Sequence, residues 1–381
     1  MARRKAFAGC GGIGTHLMTQ TLPMCGIDVL LQDEALITSL AKKRVALVTH
    51  QNSLTQTYQL SAYALREKLG EGLKCILTPE HGWSGLISEG IKVEDGFDPT
   101  LELPLFSLYG GNKKFLEFFR QESIDCLLID LQDVGLRCYT YVSTCAKLLE
   151  ACADLSLEVI VCDRPNPLGS PVRGPLLDPA FRSLVGYVDT PFQHGQTMGQ
   201  LLATFWERSL TIIPCPPYHQ PYHYPWISPS PNLPSWESVL LYPALVLLEG
   251  TNVSEGRGTS LPFTCLGAPG LDHRALVNYL NPLGCGIQAR PITFTPQSGK
   301  YKGEECHGAH LLLVDPLNIN AFELGIKIIF FLKEHYGDFQ WEPMGRNNDA
   351  YFIDYLLGTN ALRLGLEQGL GGREVLEALT R

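Results

Sequence analysis

A chain of 381 residues, 45 % hydrophobic and 18 % charged, is globular by composition and has room for about two domains. The formal net charge of -9, with no Lys/Arg run beyond "RRK" at residues 3–5, excludes the basic footprint with which nucleic-acid binders neutralise phosphates. No apolar stretch reaches the roughly 18–20 residues that cross a bilayer, so the expectation is a soluble enzyme or small-ligand binder with no membrane span.

In chain order, residues 1–25 open with positive charge, as an export signal does, but their middle is Gly-rich and has no apolar core. They read as a poorly structured leader. The "GCGGIG" within them follows no strand and is no dinucleotide loop. Over 26–215, "RVALVT" (44–49), "LKCILT" (73–78), "IDCLLIDL" (124–131) and "LEVIVCD" (157–163) read as buried strands. Between them "YQLSAYALREKLG", "FLEFFRQE" and "YVSTCAKLLEACADL" carry helical patterns. This alternation predicts βαβ units and an α/β domain whose mostly parallel sheet is covered on both faces. Residues 216–235, rich in Pro and aromatics, read as an irregular connection. His219 and His223 stand four apart there, but the prolines disfavour the helix that a metal-binding pair would use. Residues 236–381 hold an apolar run ending at Glu249, a strand near 310 and two helices, "AFELGIKIIFFLKEHY" and "GREVLEALTR". They predict a smaller α/β or α+β domain. The twelve cysteines form no C-x-x-C pair, and Cys75, Cys126 and Cys162 fall inside strand patterns as small hydrophobes. Such usage favours a reducing compartment, the cytoplasm, over an exported disulfide scaffold, with a periplasmic or exported protein as the alternative.

Each strand runs into polar residues. After the first come His50 and Asn52; after the second, Glu80 and His81. The third enters "DLQDVGLRCYTY", with Asp130, Asp133, Arg137, Tyr139 and Tyr141, and the fourth "DRPNPLG", with Asp163, Arg164 and Asn166. All four sets lie at carboxyl ends of parallel strands, the edge along which open α/β sheets bind ligands. Structural readings stand beside this one: Asp130 as a cap, Asp163 with Arg164 as a loop ion pair, the histidines as hydrogen-bonded loop residues. Glu80 resists such a reading, because a carboxylate directly after a buried strand is costly to desolvate. In the second half Glu249 opens a Gly-rich loop with Asn252, Glu255 and Arg257, whose guanidinium can hold a carboxylate through two parallel hydrogen bonds. A solvated hairpin loop is the alternative there.

The strings "TPEHGWSG", "DLQDVGLRCYTY", "DRPNPLGS", "HGQTMGQL", "SPSPNLP", "EGTNVSEGRGT" and "KYKGEECHG", in this order, resemble the DUF1343 or YbbC-like family. Its characterised members are NamZ-type exo-β-N-acetylmuramidases, which release terminal N-acetylmuramic acid (MurNAc) from peptidoglycan fragments. The resemblance runs from Gly26 to the C-terminus. It implies a Rossmann-like N-terminal domain carrying the catalytic centre, a smaller C-terminal domain and a cleft between them. The family's glutamate after the second strand corresponds to Glu80, and the motifs add His194 and Asn232 to the substrate-binding set.

The expected function is therefore glycoside hydrolysis of a small saccharide, a muropeptide or other MurNAc-containing fragment. Such hydrolysis pairs a general acid with a second group. Glu80 is the candidate acid, beside His81; Asp130, Asp133 or Glu89 is the second group, with attack by the substrate's own 2-acetamido oxygen as the other route. Arg137, Arg164 and Arg257 are candidates for the lactyl carboxylate, and Tyr139 and Tyr141 for sugar contact. No cofactor and no metal are expected. The alternatives are a non-catalytic muropeptide-binding protein and a metal-dependent hydrolase built on His50, His81 and Asp130. The spatial expectation is one shared hollow joining Glu80 to Asp130 and Asp163.

Overall fold

The computed structural model describes residues 22–379 apart from 89, 112, 218–223 and 345–349. Two short helices, α1 (Gly26–Gln32) and α2 (Glu34–Leu40), precede β1 (Val45–Val48), α3 (Ser61–Leu69) and β2 (Leu73–Thr78). Then come β3 (Gly96–Asp98), β4 (Leu103–Ser107), α4 (Lys114–Gln121), β5 (Cys126–Ile129), α5 (Thr140–Ala151) and β6 (Glu158–Cys162). A hairpin of β7 (Arg173–Leu176) and β8 (Pro191–Gln193), followed by α6 (Met198–Phe205) and β9 (Thr211–Ile213), ends the first half. The large sheet has the order β3-β4-β2-β1-β5-β6-β9, and every pair is parallel except β3 with β4 at the edge. Strands run outward from β1 in both directions, the doubly wound arrangement whose order reverses between β1 and β5. The four sequence-predicted strands are β1, β2, β5 and β6. Strands β4 and β9 are short and too weakly patterned to read.

Why the sheet is covered twice follows from the pleat. Val45 and Leu47, with Leu128 and Ile160, face a core closed by α1, α2 and α3. Ala46 and Val48, with Leu127 and Ile129, face the opposite core under α4, α5 and α6. Alternate residues point to opposite faces, so a strand apolar on both faces must be covered on both. The second core does not stop at the sheet. It continues through Leu233 and Val239 to Leu379, so the two halves share one packed interior.

The second half begins with α7 (Trp236–Leu245), capped by Ser235, whose hydroxyl accepts from the Ser238 amide. The apolar run before Glu249 is thus helical: α7 passes into a 3-10 turn over Val246–Gly250, buried nearly all round. Strand β10 (Cys265–Ala268), α8 (His273–Leu280), β11 (Ile287–Phe294) and β12 (Cys306–Leu313) follow, the three strands forming an antiparallel sheet of order β10-β12-β11. Helix α9 (Ala321–His335), the small pair β13 (Pro343–Met344) and β14 (Ala350–Tyr351), and helices α10 (Phe352–Leu357), α11 (Ala361–Glu367) and α12 (Gly372–Leu379) complete the chain.

The expected leader lies outside the described residues as far as residue 21, and the remainder corrects that expectation. Leu22 and Cys25 are buried, and the Gly26 amide donates to the Asp163 carbonyl at 2.8 Å. A Cβ on Gly26 would stand 2.2 Å from the Ile213 carbonyl oxygen. The start of α1 therefore lies against the ends of β6 and β9, where only a hydrogen atom fits. Replacing Gly26 by Ala is expected to lower the unfolding midpoint in urea by an amount equivalent to about 1–3 kcal/mol, the usual cost of forcing volume into packed backbone.

Candidate active site

Past β2 the chain makes a sharp turn. His81 and Gly82 both adopt left-handed backbone, with φ of 73° and 71°. Histidine tolerates that region only at some cost, which the surrounding contacts offset. The turn brings the His81 Nδ1 to 2.7 Å from the Ile87 carbonyl. A carbonyl only accepts, so Nδ1 donates this bond, and in a neutral ring Nε2 is then the acceptor. The same turn aims the Glu80 side chain at the first residue of α5. The Gly90 amide donates to Glu80 Oε1 at 3.1 Å and the Thr140 hydroxyl to Oε2 at 2.9 Å. Glu80 is only 8 % exposed, held at both oxygens beside a helix N-terminus. The Tyr141 hydroxyl donates to the Pro229 carbonyl at 2.8 Å with the Glu80 carbonyl 3.3 Å away, which ties the irregular connection to this turn.

Glu80, His81, Tyr139 and Thr140 line a hollow of ≈ 180 Å³ whose opposite wall comes from the second half of the chain. Tyr242, Glu249, Arg257 and Phe263 form that wall. Gly256 and Gly258, both at positive φ, let the loop turn tightly enough to present Arg257; a Cβ on Gly256 would meet the Leu261 carbonyl at 2.5 Å. The Arg257 guanidinium lies 5.0 Å over the Phe263 ring, 2.9 Å from Glu249 and 3.6 Å from Glu255. Lys300 stands 3.4 Å from Glu255. Burial pushes the Glu249 carboxyl upward, against the pull of Arg257. Tyr139 is buried, its ring centroid 4.6 Å from that of Tyr141.

The remaining sequence candidates are placed otherwise, and the expectation of one hollow joining Glu80 to Asp130 and Asp163 is corrected. Neither aspartate lines the hollow that holds Glu80. Both Asp130 oxygens are taken by Arg164, at 2.6 Å from Nε and 2.9 Å from Nη2, the pair being almost wholly buried. Asp163 accepts from the Thr197 hydroxyl and from the Gly199 amide at 2.9 Å, so it anchors the start of α6. Asp133 accepts from the Gly135 amide at 2.7 Å and stands 3.2 Å from His194 Nε2, though the ring is not aligned for a hydrogen bond. Asn166 joins its own loop to Gln196, and Asn252 joins its loop to Asp338 and Gln340. Arg137 serves backbone: it donates to the carbonyls of Pro175 at 2.9 Å, Thr190 at 2.6 Å and Leu357, and burial brings it down to about 10. Asn52 donates to the Ile227 carbonyl at 3.0 Å, and Asn232 follows Ser230 beside the hollow without lining it. Glu89, like His219 and His223, lies outside the described residues. His50, His81 and Asp130 do not gather as a ligand set; among the described residues no group of three or more such side chains does. Sequence reasoning singled out neither Thr140 nor Tyr242. Thr140 had a signal, a hydroxyl at the first position of a helix inside a motif already noted.

His50 packs nearly perpendicular to Tyr141, the ring centroids 5.1 Å apart, with Nδ1 3.0 Å from Gln51 Oε1. Burial holds its pKa down to about 3, against 6.5 for an ordinary imidazole. Above 6.5 both folded and unfolded chains carry it neutral and its contribution to stability is complete. Below 6.5 the unfolded chain gains a proton that the folded one refuses until about 3, and stability falls. Urea midpoints measured between those pH values should decline less steeply in His50→Gln than in the parent, by up to about 1.4 kcal/mol per pH unit.

Comparison with known proteins agrees with this architecture. The family model described as exo-beta-N-acetylmuramidase NamZ, N-terminal, matches residues 45–237, and its C-terminal counterpart matches 240–381. The chain is 34 % identical over 366 residues to the peptidoglycan beta-N-acetylmuramidase NamZ of Bacillus subtilis (strain 168), covering 93 % of this chain and 86 % of that protein. Two crystal structures of DUF1343 family proteins from Bacteroides fragilis NCTC 9343 are similar in fold. One superposes with a TM-score of 0.76 at 25 % identity, over 93 % of this chain and 98 % of its own. The other has a TM-score of 0.68 at 28 % identity, over 93 % and 94 %. The chain belongs to the DUF1343 family of NamZ-type exo-β-N-acetylmuramidases.

Proposed function

We propose that this protein is a glycoside hydrolase that releases terminal β-linked MurNAc from peptidoglycan-derived saccharides, with cleavage in the hollow between Glu80 and Arg257. Family membership over nearly the whole chain supports the reaction class. The observation that carries the site is Glu80, held at both oxygens and facing a hollow with a cation on its far wall. Glu80 donates a proton to the glycosidic oxygen as the bond from C1 breaks. Water supplies the new hydroxyl at C1, and its other proton restores the carboxyl group.

The second group follows from what is already engaged. Asp130 is closed off by Arg164, and Asp133 lies outside the hollow. Glu249 lines it but is paired with Arg257. The 2-acetamido oxygen of the substrate fits the attacking role better: it bonds to C1 as the leaving oxygen departs, and water then displaces it to leave the C1 hydroxyl. His81, with Nε2 as acceptor, is the lining group suited to take the acetamide N–H. Arg257 meets the lactyl carboxylate. Glu249, raised by burial, takes up a proton as the lactyl carboxylate arrives, so that Arg257 and Lys300 face two anions, the lactyl group and Glu255, instead of three. We place the protein in the cytoplasm on the support of its described cysteines, most of which are thiols packed inside the core.

Incubation with MurNAc-GlcNAc followed by mass identification of the released sugar tests the reaction directly. Glu80→Gln should cut kcat by about 10²–10⁴-fold with the unfolding midpoint unchanged, and near-normal turnover would remove Glu80 from the acid role. Arg257→Gln should raise KM about tenfold for a β-muramide while leaving a β-glucosaminide, which has no carboxylate, little altered. Equal losses on both would take Arg257 out of carboxylate recognition.

A further inference from the structure

A groove of ≈ 710 Å³ adjoins the Glu80 hollow through Tyr109 and Leu184, which line both. One wall is the chain just after β4, where Gly110 and Gly111 turn at φ of 90° and 78° and lead to Lys113. The other wall is α5, the helix whose first residue holds Glu80. Thr140, Thr144, Lys147 and Ala151 recur at helical spacing and form one stripe along it. Lys147 is seven residues on from Thr140, about 10 Å further along the helix axis. That is beyond the sugar whose bond Glu80 cleaves and within reach of the units behind it.

The groove reverses the sign of the molecule. The chain as a whole carries a net charge of -9, yet the ionic groups lining the groove are Lys113, Lys147 and Glu150. Glu150 accepts from the Tyr187 hydroxyl, and Lys147 lies 5.2 Å over the Tyr187 ring with Arg182 at 5.5 Å. Both lysines are exposed to solvent along a path that begins at the cleaved bond.

We propose that this groove binds the leaving side of the substrate, an amino-sugar chain longer than a disaccharide. In it Lys113 and Lys147 recognise the lactyl carboxylate of the next muramic acid. The proposal rests on the muramidase reading above and deepens it: the hollow selects the sugar released, and the groove selects what it is released from. Long chain ends are then better substrates than small aglycones, through KM, because the lysine contacts form on binding and do not change at the transition state.

The test compares the parent with the Lys113→Ala/Lys147→Ala double variant on three substrates. These are a chromogenic MurNAc β-glycoside, MurNAc-GlcNAc-MurNAc, and the same trisaccharide with the carboxylate of its last sugar amidated. The double variant should lose about tenfold in kcat/KM on the acidic trisaccharide, mainly as raised KM, and nothing on the chromogenic substrate. Amidation should cost the parent the same factor and the variant none. No loss on the trisaccharide, or equal losses on all three, overturns the proposal. If the parent releases MurNAc from none of them, the muramidase reading itself fails and the groove proposal with it, an outcome distinct from a parent that cleaves all three with lysines that do not matter.

Discussion

Arg164 and Asp130 join the ends of β6 and β5 by two parallel hydrogen bonds, and the rim of the sheet is assembled on that pair. Nη2 also donates to the Leu54 carbonyl in the loop after β1 at 3.0 Å, and the remaining nitrogen, Nη1, reaches the Cys25 sulfur at the start of the described chain at 3.7 Å. The Ser53 hydroxyl donates to the Asp130 carbonyl at 2.6 Å. Burial works against charge on Arg164, and its neighbours together, Asp130 foremost, outweigh it, so the cation is held firmly in its protonated form. Such a pair is stabilising only as a pair: removing one partner strands the other charge in the interior, at a cost of about 3–5 kcal/mol.

That constraint explains a division of labour along the rim. Doubly wound sheets commonly place a ligand in the crevice between β1 and β5; here the protein's own ion pair bridges β5 and β6, and its guanidinium reaches across to the loop after β1. The carboxylate proposed for chemistry stands at β2, the neighbour of β1 on the other side, where the second half of the chain closes over the sheet. Two lobes that share one apolar core present two different polar surfaces to the same small volume. One offers Glu80 and the acceptor nitrogen of His81, the other Arg257 with its carboxylate partners. Helix α5 links the site to its surroundings, since it pins Glu80 with its first residue and forms the wall of the lysine-bearing groove with its later turns.

Legibility in the sequence followed the range of each interaction. Strands β1, β2, β5 and β6 and helices α5 and α9 were readable because apolar period is local. Helix α7 was not, since a segment buried on every side loses the periodicity that marks a helix. Glu80 was readable from its abrupt place after a buried strand. Arg137 misled for a physical reason: nothing in its neighbours shows that carbonyls from residues 175, 190 and 357 converge on it in the fold.

By itself the sequence determined the class of fold, the edge of the sheet where polar residues collect, and the family. Strand period, strand-end chemistry and motif strings are all written within a few residues of one another. Only the tertiary structure decided which of those polar residues face a ligand and which face each other. A carboxylate is closed into an ion pair or left facing a hollow according to what stands within 3 Å of it, and for Asp130 that neighbour comes from another strand end, for Glu80 from the first turn of a helix sixty residues away.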